Sequence, residues 1–324
     1  MTAMLLCAAA TSWSAGLTPA AHRSLAARQT RLVPRGRRPS TSSADPPNTA
    51  SPRPAPLAVT TPLPSLGAQP TTPVTASMVS PADQATMAAE ITQATRAVLP
   101  VARTGFEVYD RTAGTVLISQ NANQQFAAMS VVKLLIALDT LASHGWATPD
   151  NATQLEIHQM LADSDDQIAD ALWTAQGGPA IVTKMASLLG LTNTRPPEVP
   201  SEWGDTLITP QDTVRVYRYI TDHLPAADRD LIVQALSSAP KIAADGFPQY
   251  FGIPDAMPHT AWAVKQGWGT SGSQAVMNST GLTGAHWRYV MVVLTSAPTG
   301  DYSRLPAVVT TTANILAKLV PKAG

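Results

Sequence analysis

Cysteine is almost missing from this 324-residue chain: Cys7 is the only one, and it lies in an apolar leader. A domain beginning later has no thiol, which excludes a disulfide framework and a Cys-based metal centre. The six histidines show no metal-ligand spacing, and no Ser-His-Asp triad can be assigned from them. No run of 18 apolar residues exists, so no membrane-spanning anchor is expected. Net charge is also absent, but only as an average. Residues 1–80 carry seven arginines against Asp45, a net +6, while residues 81–324 carry 15 basic and 21 acidic side chains, a net −6. A mildly acidic body does not suggest nucleic acid, and the basic arm has no aromatic interleaving beyond Trp13.

Three regions follow from composition. Residues 1–33 form a leader with an apolar run but no basic residue before it, an atypical export signal. Leu6 before Cys7 argues against a lipidated cysteine, and Pro and Ser after Arg37-Arg38 argue against a twin-arginine signal. Residues 34–80 form a disordered linker, with 11 prolines between Pro34 and Pro73 and few core-forming side chains. Together they point to a secreted or cell-envelope-associated protein.

Residues 81–324 then read as one α+β domain. Ser80-Pro81 starts a helix reaching about residue 99, and strands follow at 105–110 and 115–119. Helical patterns fill 131–142, 152–162, 166–174, 178–189, 210–223 and 226–237. Three strands are expected at 260–268, 273–280 and 288–296, and a last helix at 302–319. This order predicts an antiparallel sheet drawn from both ends of the domain (81–129 and 241–324), flanked by N- and C-terminal helices. An all-helical subdomain (130–240) is inserted between the two parts.

Ser130 and Lys133 carry the chemistry. Three residues apart at a helix start, they place a hydroxyl and an amine within reach of each other. A serine needs a base to become nucleophilic, and a partly desolvated lysine can be that base. The bland alternative makes Ser130 a helix N-cap. A second Ser-x-x-Lys, Ser238 to Lys241, is set aside because Pro240 cannot belong to a helix interior carrying both side chains. Gly267 to Gly272 spells Gly-x-Gly-x-x-Gly but precedes a strand, so no helix N-terminus is there to receive a phosphate.

Further along lie Ser164-Asp165-Asp166, a proline-bracketed loop from Asn193 to Thr206, and Lys265-Gln266-Gly267. With Ser130-x-x-Lys133, this order resembles the class A β-lactamases and the wider penicillin-recognising serine hydrolases, whose marks are Ser-x-x-Lys, Ser-Asp-Asn and Lys-Thr/Ser-Gly. The resemblance covers about residues 82–320. It implies that Ser130 is the acylated nucleophile, Lys133 the proton acceptor, and Ser164 the group that hands a proton to the departing nitrogen. Lys265 would hold a substrate carboxylate, and the backbone N–H groups of Ser130 and Trp268 would form an oxyanion hole. Arg195 and Asp205 match a pair that pins the loop bearing the deacylating glutamate. Ser164 with Gln167 also reads as a capping box, which would give it a purely structural role.

Three positions depart from the family pattern. Asp166 stands where an asparagine donates to substrate; a carboxylate only accepts, and it can pair with Lys133 instead. Gln266 replaces a hydroxyl residue, and Glu198 is the nearest candidate for activating the hydrolytic water, ahead of Glu202. Asp166, Gln266, Gly267 and Trp268 are the expected substrate-contacting positions. The expected function is a serine hydrolase forming an acyl-enzyme on an amide or ester, β-lactam or related, with slow β-lactam turnover. A catalytically silent wall- or protein-binding relative and a D-Ala-D-Ala peptidase remain open. No cofactor or metal is implied; the expected partner is a small-molecule or peptidoglycan-like substrate, and a monomer is expected.

Overall fold

A computed structural model describes residues 79–321. The leader and all but the last two residues of the linker lie outside the described residues. The domain opens with α1 (Pro81–Val98), whose first turn is capped by the Ser80 hydroxyl accepting from the Asp83 N–H. Strands β1 (Arg103–Asp110) and β2 (Thr115–Gln120) form a hairpin, and β3 (Phe126–Ala127) leads into a 3-10 turn, Met129–Val132. Helices α2 (Lys133–Ser143), α3 (Asn151–Ala162), α4 (Asp166–Ala175) and α5 (Pro179–Leu189) follow. Then come β4 (Leu207–Ile208), α6 (Pro210–Asp222), α7 (Ala226–Ser237) and the single-turn α8 (Ile253–Ala256). Strands β5 (Trp262–Ser271), β6 (Gln274–Thr283) and β7 (Tyr289–Pro298) precede α9 (Leu305–Leu316).

The sheet has the order β2-β1-β7-β6-β5, with every neighbouring pair antiparallel. The first strands of the domain therefore meet its last strand at the centre, and the intervening helices are extruded as the sequence order requires. Along β7, Val290, Val292 and Leu294 enter the core shared with α2 and α6, while Met291 and Val293 enter the core shared with α1 and α9. A strand covered on both faces reads as a continuous apolar run, which explains Tyr-Val-Met-Val-Val-Leu. Helix α2 is buried through Leu141, the mark of a central helix. Among the described residues no helix is long and apolar enough to cross a membrane.

Two expectations need correcting. Ser130 caps no helix: it lies inside the 3-10 turn, and α2 starts only at Lys133. The last helix is shorter than 302–319, because 3-10 turns occupy Thr299–Arg304 and Ala317–Leu319. Pro306 explains the entry, since proline fits the first turn of an α-helix but not its interior. The β3–β4 pair, two residues each, is too short to leave a periodic signal.

One buried acid stands out in the sheet. Glu107 on β1 is 3% exposed, and burial pushes its carboxyl up to about 7 despite Arg215 and Arg218 nearby on α6. Between its ordinary value of 4.5 and about 7 the folded chain holds this proton while the unfolded chain releases it, so stability falls as pH rises through that window. Glu107→Gln should remove this slope. Denaturant unfolding of both proteins across the window should show wild type losing up to about 3 kcal/mol relative to the variant; parallel curves would contradict it.

Candidate active site

The nucleophile segment hangs from the sheet. Asn278, fully buried on β6, donates from Nδ2 to the carbonyls of Ala127 (2.9 Å) and Ala128 (3.2 Å). The Ala128 N–H donates to the Thr206 carbonyl (2.7 Å), fixing the other side. On edge strand β5, Gly267 lies so close that a Cβ there would stand 2.6 Å from the Ala128 carbonyl and 3.2 Å from Met129 Cβ. No larger residue fits. Met129 itself has φ +48, a left-handed conformation that costs a non-glycine residue about 1–2 kcal/mol. The strain aims the next residue, Ser130, at Lys133.

Lys133 is fully buried, with Nζ 3.0 Å from Ser130 Oγ, 2.7 Å from the Ser164 carbonyl, 3.4 Å from Ser164 Oγ and 2.6 Å from Asp166 Oδ1. Its ammonium also lies 4.9 Å from the Trp203 ring centroid. Burial drives its pKa below the ordinary lysine value, and Asp166 opposes that shift without cancelling it. A neutral amine has two N–H donors and one lone pair. It can serve the Ser164 carbonyl and Asp166 with the donors and keep the lone pair for the Ser130 proton.

Ser164 has φ +57 and is buried, and it is not a helix cap. Asp165 takes that role, its Oδ1 accepting from the Gln167 and Ile168 N–H groups at 2.8 and 3.0 Å. The capping-box alternative therefore fails, because a carboxylate one residue later captures the orphan donors first. Ser164 Oγ is left between two amines: Lys265 Nζ donates to it at 2.9 Å. Lys265 is itself fully buried and also donates to the Gln266 carbonyl (3.1 Å). Burial, and then the charge of Lys133, hold it well below the ordinary lysine value.

The structure thus brings Ser130, Lys133, Ser164, Asp166 and Lys265 into one network. Gln266 points to the opposite face of β5, where its Nε2 donates to the carbonyls of Gln249 (3.0 Å) and Phe251 (2.7 Å). Strand alternation makes this unavoidable once Lys265 faces Ser164, so its amide is not available to substrate as expected. Trp268 stacks on Phe247 (5.0 Å between centroids) and donates its indole N–H to Asp245 (3.0 Å). Glu198 and Glu202 are exposed, and neither hydrogen-bonds to Ser130 or Lys133 among the described residues. The expected Arg195–Asp205 pairing is replaced. Backbone bonds between Arg195 and Leu207 (2.9 Å each way) close this loop, with Asp212 accepting from the N–H groups of Thr192 and Asn193.

Sequence reasoning missed Asn278, although a lone asparagine between Met277 and Ser279 in a buried strand was a usable signal. It also missed Gln249, which donates to the carbonyls of Ala162 (3.1 Å) and Pro240 (2.8 Å) and ties the approach to Ser164 to the following loop.

The architecture matches solved structures over nearly three quarters of the chain. A β-lactamase from Streptosporangium roseum aligns with TM-score 0.58 and 20% identity, covering 71% of this chain and 98% of that one. The β-lactamase from Streptomyces albus G gives 0.57 and 22%, covering 73% and 100%. A PBP-A mutant, solved as an acyl-enzyme complex with penicillin G, gives 0.57 and 16%, covering 72% and 96%. The fold is that of the class A β-lactamases. No family model matches the chain. In sequence it is 36% identical over 202 residues to the "Putative lipoprotein LppW" of Mycobacterium tuberculosis and of Mycobacterium bovis, a match covering 60% of this chain. That match takes in 63% of the length of these curated relatives.

Asn278→Ala removes both side-chain bonds from β6 to the nucleophile segment; the buried Ala127 carbonyl loses its Asn278 donor, while the Ala128 carbonyl keeps the Val131 N–H (3.1 Å). A loss of about 2–3 kcal/mol in stability is expected. Thermal unfolding should register that loss, with Ser130 less reactive toward an acylating probe in the protein that remains folded.

Proposed function

We propose that the chain is a serine hydrolase that forms an acyl-enzyme at Ser130 on an amide or ester, with β-lactams as poor substrates. The observation carrying this is the 3.0 Å contact between Ser130 Oγ and a fully buried amine depressed in pKa. In this reading the Lys133 lone pair takes the Ser130 proton as Oγ bonds to the substrate's carbonyl carbon. The N–H groups of Ser130 and Trp268 stabilise the resulting oxyanion. When the bond to the leaving nitrogen or oxygen breaks, that atom takes the Ser164 proton, and Lys133 returns its own to Ser164. Water then attacks the ester carbonyl and frees Ser130.

Slow turnover is supported by the exposed positions of Glu198 and Glu202, which leave deacylation without a nearby carboxylate from that loop. A second reading, a silent binder, draws on the 2.6 Å Asp166 contact, which favours the charged and non-basic form of Lys133. A D-Ala-D-Ala peptidase would use the same residues and release D-alanine from wall fragments. A secreted or envelope-associated location is supported by the name of the LppW relatives.

Incubation with a fluorescent penicillin and with an activated ester, followed by intact-mass measurement, tests the reading. A stoichiometric adduct is expected on wild type and none on Ser130→Ala. Absence of any adduct, with binding preserved in Ser130→Ala, would select the silent binder. The base also sets a pH limb. Acylation should decline as pH falls through the Lys133 pKa, because protonation consumes the lone pair. Asp166→Asn removes a stabiliser of the ammonium, so stopped-flow acylation should show that limb displaced to lower pH.

A further inference from the structure

The charges of the cleft are arranged inside out for an anionic substrate. Both cleft lysines are fully buried and spend their N–H groups on Ser164, Asp166 and backbone oxygens. Carboxylates face solvent instead. Asp166 has 43% of its side chain exposed, and its ion pairing among the described residues is with Lys133 alone. Asp170, exposed one helical turn along α4, accepts from the Trp203 indole N–H (2.7 Å), and Asp245, also exposed, accepts from that of Trp268. Trp203 already turns a ring face toward the Lys133 ammonium.

Substrate binding sharpens this imbalance. Lys133 acts as a base only when neutral, so in the substrate complex, before it takes the Ser130 proton, Asp166 lacks its counterion. A bound cation would restore the pair and also find an aromatic face.

We propose that this cleft selects acyl substrates carrying a cationic ammonium group a few bonds from the scissile carbonyl, with Asp166 setting the preference and Trp203 and Asp170 supporting it. The inference rests on the hydrolase reading above. An anionic substrate meets repulsion from Asp166, and the buried lysines offer it no exposed ammonium.

Three near-isosteric p-nitrophenyl esters test it on the full chain: 4-(trimethylammonio)butyrate, 5,5-dimethylhexanoate and glutarate. The expected kcat/KM order is cationic, neutral, anionic, with the cationic ester ahead of the neutral one by on the order of tenfold at low salt. Added salt should narrow the gap. Asp166→Asn should bring the cationic-to-neutral ratio close to one, each ester being measured on its own pH plateau so that the change in Lys133 does not enter the ratio. Asp170→Asn should lower the ratio partway. A neutral ester turned over as fast as the cationic one, or a ratio untouched by Asp166→Asn, overturns the charge preference while leaving the hydrolase reading intact. Turnover of none of the three, with no mass adduct at Ser130, overturns both.

Discussion

Everything in the cleft depends on an amine held out of water. Lys133 is enclosed by α2, the turn before α4 and the Trp203 ring, and that enclosure makes its neutral form accessible. Around it the chain sets two opposing influences. Desolvation favours the free base, and the Asp166 carboxylate at 2.6 Å favours the ammonium. Burial is the larger of the two. A lysine on the surface at the same spacing would stay charged and leave Ser130 an ordinary hydroxyl.

The framework serves this balance by bringing three separate pieces of chain to one point. The 3-10 turn delivers Ser130, the bend before α4 delivers Ser164, and β5 delivers Lys265. Two of these pieces contain non-glycine residues at positive φ, Met129 and Ser164. Such strain persists only where the surroundings overdetermine the backbone. Here Asn278, Thr206 and the glycine at 267 hold one piece, while Gln249 ties down the segment just before the other.

Much of this was readable beforehand, for identifiable reasons. Alternating and helical periodicities fixed the order of elements, and that order dictates the sheet with its inserted helices. The order of Ser130, Lys133, Ser164 and Lys265 pointed to a shared site because it matches the motif order of the family that the chain resembles. What could not be read depends on partners distant in sequence. Gln266 faces away because strand phase is set by which neighbour is buried, and its Gln249 and Phe251 partners lie 17 and 15 residues off. Asn278 reaches back 151 and 150 residues to Ala127 and Ala128. The capping choice between Ser164 and Asp165 turned on one residue of phase, which spacing rules do not resolve.

The anchoring of the nucleophile to β6 has a mechanical corollary. Ser130 is registered to the sheet, whereas Ser164 lies in the turn before α4, tied to β5 by Lys265 and, through Ala162, to the 240–249 loop by Gln249. A small displacement of the turn before α4 would leave the attacking oxygen in place and change only where Ser164 and Asp166 stand relative to it. The point of bond formation and the group that hands on the proton are thus set by different parts of the fold.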